Sequence, residues 1–176
     1  MHATLADVIA DTTQNSIEAG AKNISLTVVE DGKRIGVVIE DDGKGMDEAT
    51  LGRVFNPFYT EAGKHDKRRV GLGLPILKQL CESTGGDVQL KSAVGKGTRL
   101  EYHFAADHND LPPMGDLVGQ VLMLFNYPGE FELVFTHRGA KCDYSVSRSE
   151  LSEAVGGLES AEALALAREF LLSQEG

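Results

Sequence analysis

Apolar positions at Leu5, Val8, Ile9, Thr12 and Ile17 recur close to helical spacing, and Gly20 suits the end of such a helix. The pattern then changes period. "NISLTVV", residues 23–29, alternates as a strand, "EDGK" supplies a turn around Asp31-Gly32, and "RIGVVIE", residues 34–40, returns as its partner. Residues 47–54 read as a short helix opened by Asp47, while residues 60–70 carry no apolar period and read as a loop. "LPILKQLCESTGG" from Leu74 is a helix with Pro75 in its first turn and Gly85-Gly86 at its close. "DVQLKSAVGKGTRLEYHF", residues 87–104, is a second hairpin around a glycine-bearing turn.

A polar, proline-bearing stretch, "DHNDLPPMG" at 107–115, is placed as a boundary between residues 1–106 and a smaller α+β extension, 107–176. Beyond it the pattern predicts a helix over about 116–126, a hairpin over 131–147, and one or two helices ending in "SAEALALAREFLLSQ". The first part is therefore helix, hairpin, short helix, loop, helix, hairpin. That order fits an α+β sandwich, an antiparallel or mixed sheet with helices on one face, and not a doubly wound sheet. The final helix is rich in apolar residues (Leu164, Leu166, Ala167, Phe170, Leu171 and Leu172), which suits packing on its own domain, dimerisation or partner docking.

Composition narrows the classes. The chain has 176 residues, 41% of them hydrophobic and 25% charged, which is ordinary for a soluble globular protein. No apolar run reaches the length of a membrane span, and the N-terminus lacks the pattern of a signal peptide, so a cytoplasmic protein without membrane attachment is expected. A net charge of −10 argues against a nucleic-acid partner. The exception is local: "GKHDKRR", residues 63–69, gathers four bases and a histidine. Cys81 and Cys142 have no metal-ligand spacing and read as reduced, partly buried thiols.

Four short motifs carry candidate chemistry. On the first helix, Asp11, Asn15 and Glu18 share a face; by itself this is a solvated polar stripe, but an Asn carbonyl oxygen can join phosphate oxygens and waters around Mg²⁺. In "VVIEDDGKGM", a carboxylate ending a strand accepts from an adenine amino group and not from guanine, and Gly43 and Gly45 let backbone approach a flat ring. In "VGLGLPILKQL", Gly71 and Gly73 open a helix whose free N–H groups suit phosphate. "VGKGT" is either a plain hairpin turn or a device that brings the Thr98 hydroxyl to a nucleotide.

Taken in order, D-x-x-x-N, D-x-G-x-G, F-x-P-F-Y-T, a basic loop, G-L-G-L at a helix start and G-x-G-T in a hairpin resemble the Bergerat-fold ATPase superfamily over about residues 5–105. That superfamily includes histidine kinases, the ATP-hydrolysing half of DNA gyrase, the MutL mismatch-repair protein and the large heat-shock chaperone. The resemblance implies ATP and Mg²⁺ as ligands. It implies that Asp41 binds the adenine amino group and that Gly43, Gly45 and Met46 shape the pocket. Phe55, Pro57, Phe58 and Tyr59 match the aromatic box at the base of a lid formed by residues 60–70. Lys64, Lys67, Arg68, Arg69, Val70, Gly71, Leu72, Gly73, Leu74 and Thr98 match the remaining nucleotide contacts, Asn15 the Mg²⁺ ligand, and Asp11 the general base.

Several departures accompany the resemblance. The first helix begins almost at Met1, so no phosphoacceptor helical hairpin is expected ahead of it. Glu18 stands where kinases commonly carry lysine, and Arg69 where their first glycine would be. Asp11 is one methylene shorter than the glutamate of hydrolytic members. The whole pattern is similar to small stand-alone bacterial ATP-binding proteins of the histidine-kinase-like group. It implies a slow ATPase or an ATP-gated regulatory switch with a protein partner, or alternatively a kinase acting in trans, like the anti-sigma-factor serine kinases.

Overall fold

A computed structural model describes residues 4–56 and 73–176. Thr4 opens α1 (Leu5–Glu18) through a reciprocal capping box with Asp7. β1 (Asn23–Glu30) and β2 (Arg34–Asp41) follow as the expected antiparallel hairpin, with Leu26 opposite Ile39 and Val28 opposite Val37. Asp31 Oδ1 accepts the backbone N–H groups of Lys33 and Arg34 at 2.9 and 2.7 Å, which shapes the turn. The short helix contracts to α2 (Glu48–Leu51), capped by Asp47. α3 (Gly73–Ser83), β3 (Asp87–Ala93) and β4 (Gly97–Ala105) complete the first part. Then come α4 (Leu117–Phe125), β5 (Glu132–Arg138), β6 (Asp143–Ser147), α5 (Arg148–Val155) and α6 (Ala161–Gln174).

The six strands form one mixed sheet in the order β3-β4-β2-β1-β5-β6. All neighbours are antiparallel except β1 and β5, which run parallel. Alternation decides which face is covered. Leu26, Val28, Val37, Ile39, Tyr102, Phe104, Leu133 and Phe135 are buried, and α1 lies against β1 and β2 while α3 lies against β3 and β4. Burying one such side chain favours folding by about 1.5–3 kcal/mol. The residues between them, including Ser25, Thr27, Glu40 and Glu101, are half-buried or exposed.

Residues after 107 continue this sheet, because β5 pairs with β1 along seven positions from Asn23↔Glu132 to Val29↔Arg138. The stretch 107–115 is bound to the first helix. The Pro113 and Met114 carbonyls accept the Leu5 and Ala6 N–H groups at 2.9 and 2.8 Å, satisfying two of the donors left open at a helix start. Gln120 of α4 donates to Asp7 of α1 at 3.0 Å.

Arg148 organises the joint between α4, β5 and α5. It donates to the carbonyls of Phe125, Gly129, Phe131 and Tyr127 and lies 4.0 Å from the Phe131 ring centroid. α6 packs on α4 and buries Ala163, Ala167 and Leu171, while Leu166 and Phe170 remain 55% and 47% exposed. No described helix is long and apolar enough to cross a membrane.

Candidate functional site

The end of β2 and the last turn of α1 meet at one carboxylate. Ser16 Oγ donates to Asp41 Oδ2 at 2.6 Å, and the Gly43 N–H donates to Asp41 Oδ1 at 2.9 Å. Each oxygen has accepted one bond, so the carboxylate retains acceptor capacity for a ligand N–H. Gly43 closes the turn against α1: a Cβ there would lie 3.1 Å from the Ala19 Cβ and 3.0 Å from Asp41 Oδ1. The neighbouring Asp42 faces the other way and binds the Lys22 and Asn23 N–H groups at 2.7 and 2.9 Å, fixing the start of β1.

The β3–β4 turn interlocks with this corner. Gly45 has φ +69°, and a Cβ on it would lie 1.9 Å from the Ala93 carbonyl oxygen. Gly97 mirrors it, with φ +84° and a Cβ position 1.8 Å from the Asp41 carbonyl oxygen. Glycine is therefore demanded at 45 and 97 by the crossing of two backbones. Polar bonds lock the crossing. The Met46 N–H donates to Ser92 Oγ at 2.8 Å, the Ser92 hydroxyl lies 2.8 Å from Thr98 Oγ1, and the Gly95 N–H donates to the Lys44 carbonyl at 2.8 Å. Thr98 stands opposite Asp41 in the β2–β4 register, with its hydroxyl engaged by Ser92.

α1 carries the other described candidates. Asp11 is half-buried and Asn15 exposed, one turn apart, and Ser16 follows directly. The axial rise from Asp11 to Ser16 is about 7.5 Å. Beneath them, Thr12 Oγ1 pairs with the Tyr102 hydroxyl at 2.9 Å in the core. Burial pushes that hydroxyl's pKa above its ordinary value, and the Asp11 charge adds to the effect. Gly73 opens α3 with open space where a Cβ would stand, whereas Leu74 packs against the core. Phe55 meets Lys78 Nζ at 5.4 Å from its ring centroid.

Asp41, Gly43, Gly45, Met46 and Thr98 thus converge on one corner of the sheet, and Asp11 and Asn15 extend from it along α1. Phe58, Lys64, Lys67, Arg68, Arg69, Val70, Gly71 and Leu72, together with Pro57, Tyr59 and the expected lid, lie outside the described residues.

Residues 2–108 match the family described as histidine kinase-, DNA gyrase B- and HSP90-like ATPase. The chain belongs to this family. It is an ATP-binding domain of the histidine-kinase-like ATPase type. It is 38% identical over 72 residues to a putative sensor protein of Shewanella frigidimarina, covering 41% of this chain and 11% of that protein. It is 29% identical over 113 residues to the sensor histidine kinase ZraS of Escherichia coli O157:H7, covering 63% of this chain and 24% of that protein. Among solved structures, the catalytic domain of histidine kinase ThkA is similar with TM-score 0.45 and 23% identity, over 56% of this chain and 65% of that one. The chain thus spans a quarter or less of these two curated relatives.

Two participants escaped the sequence reading. Ser16 is 5% exposed and lies on the apolar side of α1, four residues after buried Thr12. A small hydroxyl in a buried helical stripe was the available signal, since such a group needs a partner. Ser92, at the β3–β4 turn, gave no comparable signal in an alternating strand.

Proposed function

We propose that this histidine-kinase-like domain binds Mg²⁺-ATP, with the adenine amino group on Asp41, and hydrolyses it slowly with Asp11 as general base. The observation that carries the reading is the Ser16–Asp41 contact, which ties the base-reading carboxylate to the helix that bears Asn15 and Asp11. A carboxylate held by two protein donors is preorganised, and preorganisation lowers the entropic cost of ligand binding. Adenine presents a donor to Asp41, and guanine an acceptor, so ATP is favoured over GTP.

Gly43, Gly45 and Met46 form the wall beside the base, and Thr98 acts from across the sheet. Asn15, whose side chain is exposed next to Ser16, would hold Mg²⁺, which supplies charge neutralisation at the phosphate oxygens. Asp11, one turn earlier, takes a proton from the attacking water. Its shorter side chain relative to glutamate suits slow turnover. The N–H groups at Gly71 and Gly73, with Val70, Leu72 and Leu74 alongside, and the bases Lys64, Lys67, Arg68 and Arg69 are assigned to the phosphates, with Phe58 at the base of the lid. Slow turnover suits an ATP-gated regulatory switch acting on a protein partner in the cytoplasm. A second reading has the phosphoryl group pass in trans to a partner, and the relatives named as sensor histidine kinases favour it.

The test is to follow labelled γ-phosphate from Mg²⁺-ATP with the native chain and Asp11→Asn. Free phosphate that falls by about 10²–10⁴ in Asp11→Asn, with ATP affinity retained, supports hydrolysis through Asp11. Undiminished release in Asp11→Asn sinks that role, and label carried by an added partner favours the second reading.

A further inference from the structure

Toward the β5–β6 edge of the sheet, His137 sits on the covered face of β5 with 5% exposure. Its Nε2 lies 2.6 Å from Glu30 Oε2 at the end of β1, and its Nδ1 lies 2.6 Å from Glu175 Oε2 just after α6. The β5–β6 turn, closed by the Gly139 N–H on the Cys142 carbonyl at 2.7 Å, brings the Cys142 thiol to the same place. Ligand atoms of His137, Cys142 and Glu175 all lie within 4.8 Å of one another. The Tyr144 hydroxyl, on the residue paired with His137 across β5–β6, is buried without a partner at hydrogen-bond geometry, and burial, with the nearby Glu175 charge adding to it, raises its pKa.

We propose that His137 Nδ1, Cys142 Sγ and Glu175 form a three-ligand site for a thiophilic divalent cation of the zinc class, with Glu30 as the carboxylate that orients the histidine. The donor set is imidazole, thiolate and carboxylate, the chemistry zinc takes in four-coordinate sites, with water at the fourth position. A histidine that binds a metal through one ring nitrogen donates the other N–H to a carboxylate or carbonyl, and Glu30 occupies that place. Tetrahedral bonds of about 2.0–2.3 Å separate ligand atoms by about 3.4–3.8 Å. Glu175 must therefore draw back from Nδ1 by about 1 Å, within reach of a side chain one residue beyond the end of its helix.

Charge is compatible with occupancy. Without a cation, two carboxylates on one protonated imidazole leave a net single negative charge in a half-buried cluster. A divalent ion with the Cys142 thiolate, Glu175 and Glu30 would leave the same net charge, its binding releasing the thiol proton and the proton on Nδ1. A redox role for this thiol is disfavoured. Burial and the nearby Glu175 push its pKa up to about 11, and Cys81, the other cysteine, is buried in the core. The cation would clasp the residue that follows α6 to the β1–β5 seam, with all three of its ligands in the part of the chain beyond the family match.

The experiment uses the full chain, stripped with chelator, held under a non-thiol reductant and titrated with Co²⁺ as the spectroscopic probe. The expected result is one equivalent bound, with a thiolate-to-cobalt charge-transfer band in the near ultraviolet and visible bands of tetrahedral intensity, both abolished by Zn²⁺. Cys142→Ser removes the charge-transfer band, and Glu30→Gln keeps the band but weakens binding by about 10–100-fold. Far-ultraviolet dichroism shows that the variants fold. A native chain that takes up no stoichiometric cobalt overturns the proposal and leaves His137 as an ion-paired clasp. So does a charge-transfer band that survives in Cys142→Ser.

Discussion

The Ser16 hydroxyl donates to Asp41 Oδ2 at 2.6 Å, so the last turn of α1 and the end of β2 hold one carboxylate between them. A helix and a strand separated in the chain by β1 are joined at the group assigned to the adenine base. The Gly43 N–H holds the other oxygen. The carboxylate therefore cannot turn away from the corner without breaking two bonds.

Ser16→Ala removes one of these donors and leaves the carboxylate freer to rotate. A single hydrogen bond of this kind contributes about 0.5–1.5 kcal/mol. ATP affinity measured by calorimetry is expected to fall by up to about 12-fold, and the unfolding midpoint to drop by about 2–4 °C. Unchanged affinity would show that Gly43 alone positions Asp41.

The two glycines of the D-x-G-x-G motif should separate in their effects. Gly45→Ala drives a Cβ into the Ala93 carbonyl from a left-handed backbone, so a stability loss of about 2–4 kcal/mol is expected in denaturant unfolding. Gly43→Ala meets only contacts of 3.0 and 3.1 Å and has no positive φ, so the loss is about 1 kcal/mol. Its added methyl presses on Asp41, however, and ATP affinity is expected to fall more than stability does.

Arg148 donates to four carbonyls and stacks on Phe131, a fork-shaped task that a lysine ammonium cannot reproduce. Arg148→Lys and Arg148→Ala are both expected to lower unfolding free energy by about 2–4 kcal/mol. A Lys variant as stable as the native chain would contradict this account of the α4–β5 joint.

Asp116 caps α4 through the Gly119 N–H and is paired with Arg168 of α6. The Arg168 bond, then the Gly119 N–H, hold its pKa below the ordinary carboxylate value. A depressed folded pKa gives stability that is present above the unfolded value, about 3.9, and is lost as pH falls through the folded one. Asp116→Ala is expected to cost about 1 kcal/mol at neutral pH, with the difference shrinking below about pH 4. A penalty that stays constant down to pH 2 would assign the effect to packing.

How far the sequence foretold these arrangements depended on range. The β1–β2 hairpin was legible because alternation and Asp31-Gly32 are local signals that agree. So was the α+β order of the first part. The stretch 107–115 looked like a boundary because proline and polar residues break both periods. Its carbonyls also cap α1, a contact between residues distant in the chain that no window contains. The parallel pairing of β5 with β1 was hidden for the same reason. Asp41 stands out through its motif, whereas Ser16, which bonds to it, does not, because a serine inside a helix is common. Gly45 reads in the sequence as a place where backbone approaches a ligand, and the crossing of the β3–β4 turn adds its own demand for glycine there.

Equilibrium binding of Mg²⁺-ATP and Mg²⁺-GTP to the native chain and to Asp41→Asn tests the central claim most directly. The native chain is expected to prefer ATP. Asp41→Asn, which sets an amide donor against the Gly43 N–H or the adenine amino group, is expected to lose about 30-fold or more in ATP affinity, a penalty of about 2 kcal/mol for unmatched donors, while its unfolding midpoint stays close to native. Equal binding of ATP by native and variant chains, both folded, would contradict it.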